Sequence, residues 1–398
     1  MTPFQLLVLN QISAKGLSRL PADRYVLGKD ASAPDAVLLR SADLHGFDIP
    51  PSVKAIARAG AGTNNIPVPA MSARGVPVFN APGANANAVK ELVLAAMLLT
   101  ARNLAPALRF VAALDAGADR MEQAVEEGKK AFAGFELAGH TLGIVGLGKV
   151  GCLVADAAIK LGMQVHGYDP HITVDAAWSL PAQVRKAVSV ADVLQRADFV
   201  SLHVPLVDAT RDLVGAANIG LMRAGAVLMN FSREGVVNEA AVLAALDASD
   251  PARRLGWYAC DFPSPALHGH ARAIALPHLG ASTAEAEENC AVMVVDQLRD
   301  FLEHGNIDNA VNFPQVGMAR ESAYRVAIAN ANVPNMLGQI STAMASAGLN
   351  IHNMVNKSRG DMAYTLVDVD SPVGAAVLSR LAAIDGVLSV RYLPSHPA

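Results

Sequence analysis

The sequence is poor in charged and aromatic residues and contains only three cysteines. Charged residues make up 17% of the 398 positions and aromatic residues 5%, whereas hydrophobic residues reach 52%. This composition excludes a disordered chain, and the formal net charge of −4 argues against a nucleic-acid partner, which needs a basic surface. Cys152, Cys260 and Cys290 are widely spaced and odd in number, which argues against a disulfide framework and predicts a cytoplasmic protein.

Long apolar runs are also absent. The best candidate, residues 92–99, is far shorter than the roughly 20 residues that cross a bilayer. The N-terminal residues have no basic stretch before their apolar one, so we expect neither a signal peptide nor a membrane partner. A chain of 398 residues is instead long enough for two or three domains.

Short apolar runs alternate with amphipathic helical stretches over most of the chain. Nine runs are apolar on both faces, as buried parallel strands are. They cover residues 5–9, 36–39, 76–80, 141–145, 164–168, 199–204, 226–230, 257–261 and 273–275. The alternation predicts an α/β fold with two doubly wound parallel sheets of the Rossmann or flavodoxin-like kind. After residue 320 the order changes to βαββαβ, which predicts a small ferredoxin-like domain.

A dinucleotide-binding motif follows the fourth predicted strand. Gly146, Gly148 and Gly151 form G-x-G-x-x-G, whose glycines allow a tight turn, the approach of a pyrophosphate and close helix–strand packing. The helix that begins near Lys149 would offer free N–H groups to the phosphates. Asp169, at the end of the next strand, would accept hydrogen bonds from the ribose and repel a 2′-phosphate, which favours NAD over NADP. A glycine turn with a packing role only is the alternative.

The motif lies in the middle of the chain, which indicates a nucleotide-binding domain inserted into another domain. We expect an NAD-binding domain at 93–284 inserted into a substrate-binding domain at 1–92 and 285–312, with the ligand cleft between them. Residues 313–320 lose periodicity and are predicted to be a linker to the domain at 321–398.

Three polar side chains follow predicted strands, where catalytic groups of open α/β sheets lie. Arg233 can bind the carboxylate of a 2-oxo acid, or can pair with Glu234 or Glu239 at the surface. His278 can accept the hydroxyl proton when an alcohol loses hydride, although a structural histidine is the alternative. Asp261 can orient that imidazole and raise its pKa, or can only shape a turn.

With these motifs the chain resembles the D-isomer-specific 2-hydroxyacid dehydrogenases, most closely those that act on D-3-phosphoglycerate. The resemblance rests on GLGKVG at 146–151, NFSREGVVNE at 230–239 and PHLGAST at 277–283, with further matches at 58–65 and 78–92. It implies an NAD-dependent oxidation of a phosphorylated 2-hydroxy acid in serine biosynthesis. A reductase for 2-hydroxyglutarate or glyoxylate, or a non-enzymatic NAD-sensing regulator, are the alternatives.

The resemblance also implies a role for each matching residue. Arg233 would bind the substrate carboxylate and His278 would be the acid/base. Cofactor contacts are implied for Gly146, Gly148, Lys149, Val150, Gly151, Asp169, His203, Pro205, Phe231, Ser232, Arg233, Asp261, His278 and Gly280. Substrate contacts are implied or expected for Arg58, Gly60, Ala61, Gly62, Asn85, Lys129 and Arg233.

One departure from the family concerns the partner of the histidine. The family has a glutamate in a segment that reads like D-V-F-x-x-E-P, whereas this chain reads D-F-P-S-P from Asp261 onward. Either Asp261 takes that role or catalysis proceeds without it. No metal site is expected, because His268 and His270 offer two ligands without a third.

The tail resembles an ACT domain in its segments NANVPN at 330–335 and GLNI at 348–351. In serine-regulated relatives these positions hold serine across a dimer interface, which implies Asn330, Asn332 and Asn350 as effector residues. The alternative is a dimerisation module without an effector. A homodimer or homotetramer is expected in either case.

Overall fold

Two parallel sheets and one antiparallel sheet form the framework of the protein. The structure is a computed structural model that describes residues 2–114 and 118–395. It divides into two units. Unit 1 comprises Met1–Asn85 and Ala284–Ala398, and unit 2 comprises Ala86–Thr283. The predicted division was at 92/93 and 284/285, and the function of each domain stays a prediction.

The elements alternate along the chain. The strands are β1 (Phe4–Val8), β2 (Tyr25–Gly28), β3 (Ala36–Leu39), β4 (Ala55–Arg58), β5 (Val78–Phe79), β6 (Thr141–Val145), β7 (Gln164–Tyr168), β8 (Arg185–Lys186), β9 (Phe199–Leu202), β10 (Val227–Asn230), β11 (Trp257–Cys260), β12 (Ala273–Ala275), β13 (Tyr324–Ala331), β14 (Ile351–Arg359), β15 (Met362–Val369) and β16 (Val387–Pro394). The α-helices are α1 (Ala14–Leu17), α2 (Val68–Ala73), α3 (Ala86–Ala101), α4 (Leu104–Ala112), α5 (Ala118–Gly128), α6 (Lys149–Lys160), α7 (Val174–Ser179), α8 (Val190–Arg196), α9 (Glu239–Leu246), α10 (Ala284–His304), α11 (Met336–Ala345) and α12 (Ala375–Ala382).

The parallel sheet of unit 1 has the strand order β2-β1-β3-β4-β5. Its central strand β3 is AVLL, and all four residues are fully buried because both faces of the sheet are covered. Helix α10 packs one apolar side against this sheet, where Val294, Leu298 and Phe301 join the same core as Leu6 and Leu38.

The sheet of unit 2 has seven strands in the order β12-β11-β10-β9-β6-β7-β8, and every pairing is parallel. The order reverses direction at β6, which is the strand that leads into the glycine motif. Strands β9 and β10 are buried along their whole length. The two parallel sheets confirm the predicted fold class.

The tail forms an antiparallel sheet with the order β14-β15-β13-β16 and with helices α11 and α12. This is the predicted βαββαβ arrangement. One face of the sheet packs on α11 and α12, whereas its other face contributes Ala327, Tyr364 and Leu366 to the core that contains α10.

The segment predicted as a linker packs inside unit 1. Phe313 and Val316 are fully buried, and Val316 forms a β-bridge with Ile307. The backbone here lacks regular periodicity, yet its apolar side chains fill space between α10 and the tail sheet.

A fully buried ion pair joins the tail sheet to this segment. Arg325 on β13 donates from Nε and Nη2 to the two carboxylate oxygens of Asp368 on β15, at 2.6 and 2.9 Å. Its other N–H groups donate to the carbonyls of His304, Met318 and Ala319. All five guanidinium donors are therefore satisfied, which is what a buried arginine requires.

Among the described residues, no single helix combines the length and the hydropathy of a membrane span. Helices α3 and α4 have the required length and hydropathy only when they are counted as one segment, and the chain bends by 68° between them.

The buried ion pair predicts a large loss of stability for Asp368→Asn. Burial alone would raise the pKa of Asp368, but hydrogen bonds from Arg325 and from the Glu321 amide outweigh it and keep that pKa below its usual value. The charge pair is therefore present at neutral pH and is lost only as pH falls through the lowered pKa. Removing the charge leaves Arg325 buried and unpaired, which should cost about 3–5 kcal/mol in urea unfolding.

The matched control is Asp370→Asn, which changes an exposed aspartate just after the end of β15. Its free energy of unfolding should stay within about 0.5 kcal/mol of the wild type. Equal effects of the two substitutions would contradict the role given to the buried pair.

Candidate active site

The predicted cofactor and catalytic residues of unit 2 lie on one edge of its sheet. Because all seven strands are parallel, their carboxyl ends meet at the same edge. In sheet order that edge carries His278 after β12, Asp261 after β11, Arg233 after β10, His203 after β9, Gly146 after β6 and Asp169 after β7. The fold thus gathers residues that are more than 100 positions apart in the sequence.

The glycine turn after β6 needs its glycines for different reasons. Gly146 has φ +94°, and a Cβ there would lie 2.4 Å from the carbonyl oxygen of His203. A Cβ on Gly151 would lie 2.1 Å from the carbonyl oxygen of Gly146. A Cβ on Gly148 meets nothing within 4 Å, so the protein itself does not demand glycine there. The open space at Gly148 fits the approach of a pyrophosphate group.

Helix α6 begins directly after this turn, and its N-terminus has no side-chain cap. The first N–H groups of a helix have no partner within the helix, and they carry the positive end of its dipole. Lys149, Val150 and Gly151 supply these groups here, as predicted for phosphate binding.

Asp169 lies beside the turn because two backbone amides hold its carboxylate. Leu147 N donates to Oδ2 at 2.8 Å and His171 N donates to Oδ1 at 2.9 Å. Each carboxylate oxygen has a further lone pair, which can accept a ribose hydroxyl. The residues of this region therefore fit a dinucleotide without a 2′-phosphate.

His203 is held neutral between β9 and the glycine turn. Burial lowers its pKa to about 4, and its Nε2 lies 2.9 Å from Ser201 Oγ. A neutral imidazole at this position adds no charge to the cofactor region at physiological pH.

Arg233 is exposed at the end of β10 and is held there through its backbone. Asn230, which is fully buried, donates from Nδ2 to the Arg233 carbonyl at 2.9 Å and accepts from Ser232 at Oδ1. In the described chain no carboxylate lies within 4 Å of the Arg233 guanidinium, so the predicted alternative of a surface pair with Glu234 or Glu239 is not formed. The guanidinium is available to a ligand.

Asn230 is a positioning residue that the sequence interpretation did not single out. A buried asparagine at the last position of an apolar strand is a recognisable signal, since a buried amide must find partners. Phe231 follows it with its ring buried, and Ser232 donates its hydroxyl to Asn230.

His278 lies in a loop after β12 with an exposed side chain and an unusual backbone. Its φ is +58°, a left-handed conformation that costs a residue with a Cβ about 1 kcal/mol or more. Its ring meets the edge of the Phe262 ring, with centroids 5.3 Å apart and planes at 79°. Such strain persists only where surrounding contacts impose it.

Those contacts come from Asp261, for which two roles were left open, orienting the imidazole and shaping a turn. Asp261 is 2% exposed, and its two oxygens accept hydrogen bonds from the amides of Leu279 and Gly280, each at 2.7 Å. Within the described residues it forms no hydrogen bond with the imidazole. Both oxygens face the backbone because the loop turns back over β11 just after His278. Asp261 therefore positions His278 through the backbone.

Most of the predicted substrate residues lie in unit 1. The two exceptions are Lys129 and Arg233, which lie in unit 2. Arg58 donates from Nε to the Arg40 carbonyl at 3.0 Å, and its guanidinium covers Gly60. The neighbouring loop is held by Asn80, which donates to the Ala61 carbonyl at 2.6 Å. Gly62 and Asn85 belong to the same unit.

Lys129 lies in unit 2 at the end of α5, where it forms an ion pair with Glu126. Both side chains are more than half exposed, which is typical of a solvated surface pair. A role in substrate binding stays a prediction for all these residues.

Comparison with known proteins identifies the family. The model of the NAD-binding domain of D-isomer-specific 2-hydroxyacid dehydrogenases matches residues 94–280. D-3-phosphoglycerate dehydrogenase of Escherichia coli K12 is 33% identical over 345 residues, which cover 83% of this chain and 79% of that protein. The chain belongs to the D-isomer-specific 2-hydroxyacid dehydrogenase family. It is an NAD-dependent dehydrogenase, as predicted.

Further relatives differ in length or share only the fold. D-3-phosphoglycerate dehydrogenase of Methanocaldococcus jannaschii is 36% identical over 66% of this chain, but the match spans only about half (48%) of that protein. The crystal structure of NAD+-bound 3-phosphoglycerate dehydrogenase from Entamoeba histolytica has a TM-score of 0.61 at 24% identity, covering 78% of this chain and 99% of that one. This likeness supports the fold.

Asp261→Asn tests the positioning role. The Asn side chain has one acceptor oxygen for two N–H donors, so one of the two hydrogen bonds is lost and the His278 loop relaxes. We expect kcat to fall by about 10- to 100-fold, the cost of a small misplacement of a catalytic group. The midpoint of the acid limb in the pH–rate profile, where the base becomes protonated, should stay near that of the wild type, because Asp261 does not hydrogen-bond the imidazole in the described structure.

Asp247→Asn is the matched control, since it removes an exposed carboxylate that contacts another histidine, His270, at 3.1 Å. It should leave kcat unchanged. A profile of Asp261→Asn shifted strongly toward lower pH would instead indicate a direct carboxylate–imidazole pair, because loss of such a pair lowers the histidine pKa.

Proposed function

We propose that the protein oxidises D-3-phosphoglycerate to 3-phosphohydroxypyruvate with NAD, a step of serine biosynthesis. The observation that carries this proposal is the name shared by the relatives at 33% and 36% identity, both D-3-phosphoglycerate dehydrogenases. The position of Arg233 and His278 on the same sheet edge as the glycine turn supports it, because oxidation of a 2-hydroxy acid needs a carboxylate ligand and a base near the nicotinamide.

Each residue on the sheet edge has a specific task in this proposal. The amides of Lys149, Val150 and Gly151 hold the pyrophosphate, and Asp169 accepts the ribose hydroxyls. When bound there, NAD would supply the acceptor for the hydride on C2 of the substrate. Arg233 binds the substrate carboxylate through two parallel N–H donors, which fixes the plane of the reacting carbon.

His278 takes the proton from the C2 hydroxyl in this proposal. Its exposed ring is available to a substrate, while Asp261 holds its backbone and Phe262 contacts one edge of the ring. The two contacts limit the orientations open to the ring, which reduces the entropy cost of aligning base and hydroxyl.

A substrate panel with wild type and His278→Ala tests the proposal. NADH formation should be fastest with D-3-phosphoglycerate when it is compared with D-2-hydroxyglutarate and D-glycerate, and slower with NADP in place of NAD. His278→Ala should lower kcat by about 100- to 10,000-fold with NAD affinity retained, which is the usual worth of a general base.

The panel also separates the alternatives. A preference for 2-hydroxyglutarate or glycerate would overturn the substrate assignment and leave the family intact. Near-wild-type turnover of His278→Ala would overturn the assignment of the base. No oxidation of any hydroxy acid would favour a non-enzymatic NAD-binding role.

We also propose that the tail binds L-serine between two subunits of a homo-oligomer. Asn330 is buried with no partner for its Oδ1 among the described residues, so it can accept a further hydrogen bond. Asn332 is occupied by the Gly360 carbonyl at 3.0 Å. Asn350 lies one residue before β14. The next residue, Ile351, pairs with Val369, which also pairs with Tyr324, so Asn350 lies at the end of the sheet opposite to Asn330.

Along the strand direction, Asn330 and Asn350 are therefore separated by six residues of extended strand, which is a distance of about 20 Å. One serine cannot contact both in the same subunit, which supports a site shared by two chains. L-serine should inhibit NADH formation by the wild type, and Asn350→Ala should abolish that inhibition without changing activity in its absence. Equal inhibition of both proteins would contradict the shared site.

A further inference from the structure

Unit 1 contains a cavity of about 600 Å³, which the proposed reaction does not use. It lies between β16, the last strand of the tail, and the C-terminal end of α10. Phe4 on β1 and Lys54, just before β4, complete its wall. Its lining is cationic. Among the described residues it includes one lysine, three arginines and a histidine: Lys54, Arg24, Arg320, Arg391 and His304.

Two of these cations are neutralised by carboxylates. Lys54 forms an ion pair with Asp35, and Arg24 Nη1 lies 2.8 Å from Glu303 Oε2. Among the described residues of the lining, Glu303 is the single carboxylate side chain. Arg320 and Arg391 have no carboxylate within 4 Å in the part of the chain that the structure describes, so two positive charges remain in excess.

Backbone carbonyls satisfy these two guanidinium groups only in part. Arg391 donates to the carbonyls of Phe301 (3.1 Å) and Leu302 (2.9 Å) and lies 4.4 Å from the centroid of the Phe301 ring. These bonds use two of its five N–H groups. Arg320 donates to the carbonyls of Ser322, Glu303, Ala323 and Leu393.

The end of α10 does not balance the remaining charge. A helix C-terminus carries the equivalent of about half a negative charge, so more than one positive charge is left at the cavity. Burial lowers the pKa of Arg391, and burial followed by repulsion from Arg325 lowers that of Arg320. Both groups are thus held in a position that disfavours their charge, and an anion would relieve that cost.

We propose that this cavity binds a small oxyanion, a phosphate or a carboxylate group, between Arg320 and Arg391. Among the hydrogen bonds described above, Arg391 keeps three N–H groups and Arg320 keeps one for a ligand, and guanidinium N–H groups are the donors that bind such oxyanions best. The bound oxyanion would contact both β16 and the end of α10. It would therefore stabilise the packing of the tail sheet on the parallel sheet of unit 1. This inference is independent of the reaction proposed above.

The test measures thermal unfolding of the full chain in the Arg233→Ala background, which removes the predicted oxyanion ligand of the substrate site. Inorganic phosphate and malonate are added separately, against sodium chloride at the same ionic strength. We expect at least one oxyanion to raise the melting temperature by about 2 °C or more once its concentration is well above its Kd. A response to one anion alone identifies which group the cavity prefers.

Two cavity variants and a control identify the site. Arg320→Gln removes one unpaired guanidinium, whereas Lys54→Gln leaves Asp35 without its partner and makes the cavity more negative by one charge. Both should reduce the oxyanion-dependent rise by at least half. Lys160→Gln removes a lysine on α6 in unit 2, paired with Asp156 at 2.6 Å, and should leave the rise unchanged.

The proposal is overturned if neither oxyanion stabilises the protein beyond sodium chloride. It is equally overturned if both cavity variants respond like Lys160→Gln. Neither outcome bears on NADH formation, so failure of this site and failure of the proposed reaction are distinguishable.

Discussion

The parallel direction of all seven strands in the unit 2 sheet determines where its chemistry can take place. Helices cover both faces of such a sheet, so polar side chains that must meet a ligand are restricted to the loops at the strand ends. Here the carboxyl ends of four strands are followed by the glycine turn, by Asp169, by Arg233 and by His278. The change of direction at β6 opens the edge at the point where the glycine turn lies, which is where an extended dinucleotide can be bound.

A second constraint concerns how the histidine is held without the glutamate that the family usually provides. Asp261 uses both carboxylate oxygens on the amides that follow His278. A buried carboxylate with two N–H donors is stable enough to impose the left-handed backbone of His278, since charge-assisted hydrogen bonds exceed the cost of that conformation. The histidine is thus fixed by its backbone, and among the described residues its ring nitrogens have no hydrogen-bond partner, so they are open to a substrate.

Much of this arrangement could be predicted from the sequence, because strong local signals were present. The strands at 141–145, 164–168 and 273–275 and the βαββαβ tail follow from apolar patterns that packing reinforced. Strand β2 was missed because it lies at a sheet edge with exposed Val26 and Leu27. Strand β4 was missed because its sequence, AIAR, contains two alanines, which have low β-propensity, and ends in an arginine. The burial of Phe313 and the backbone partners of Asp261 depend on tertiary contacts, so no local pattern indicates them.

Transfer of deuterium from substrate to cofactor is the most direct test of the account. The purified full chain would be incubated with NAD and D-3-phosphoglycerate deuterated at C2, and the mass of the NADH formed would be measured. We predict that the NADH carries one deuterium, that the L-enantiomer is inactive, and that His278→Ala forms the same labelled NADH far more slowly. Unlabelled NADH, or label transfer at an undiminished rate in His278→Ala, would contradict hydride transfer from C2 with His278 as the base.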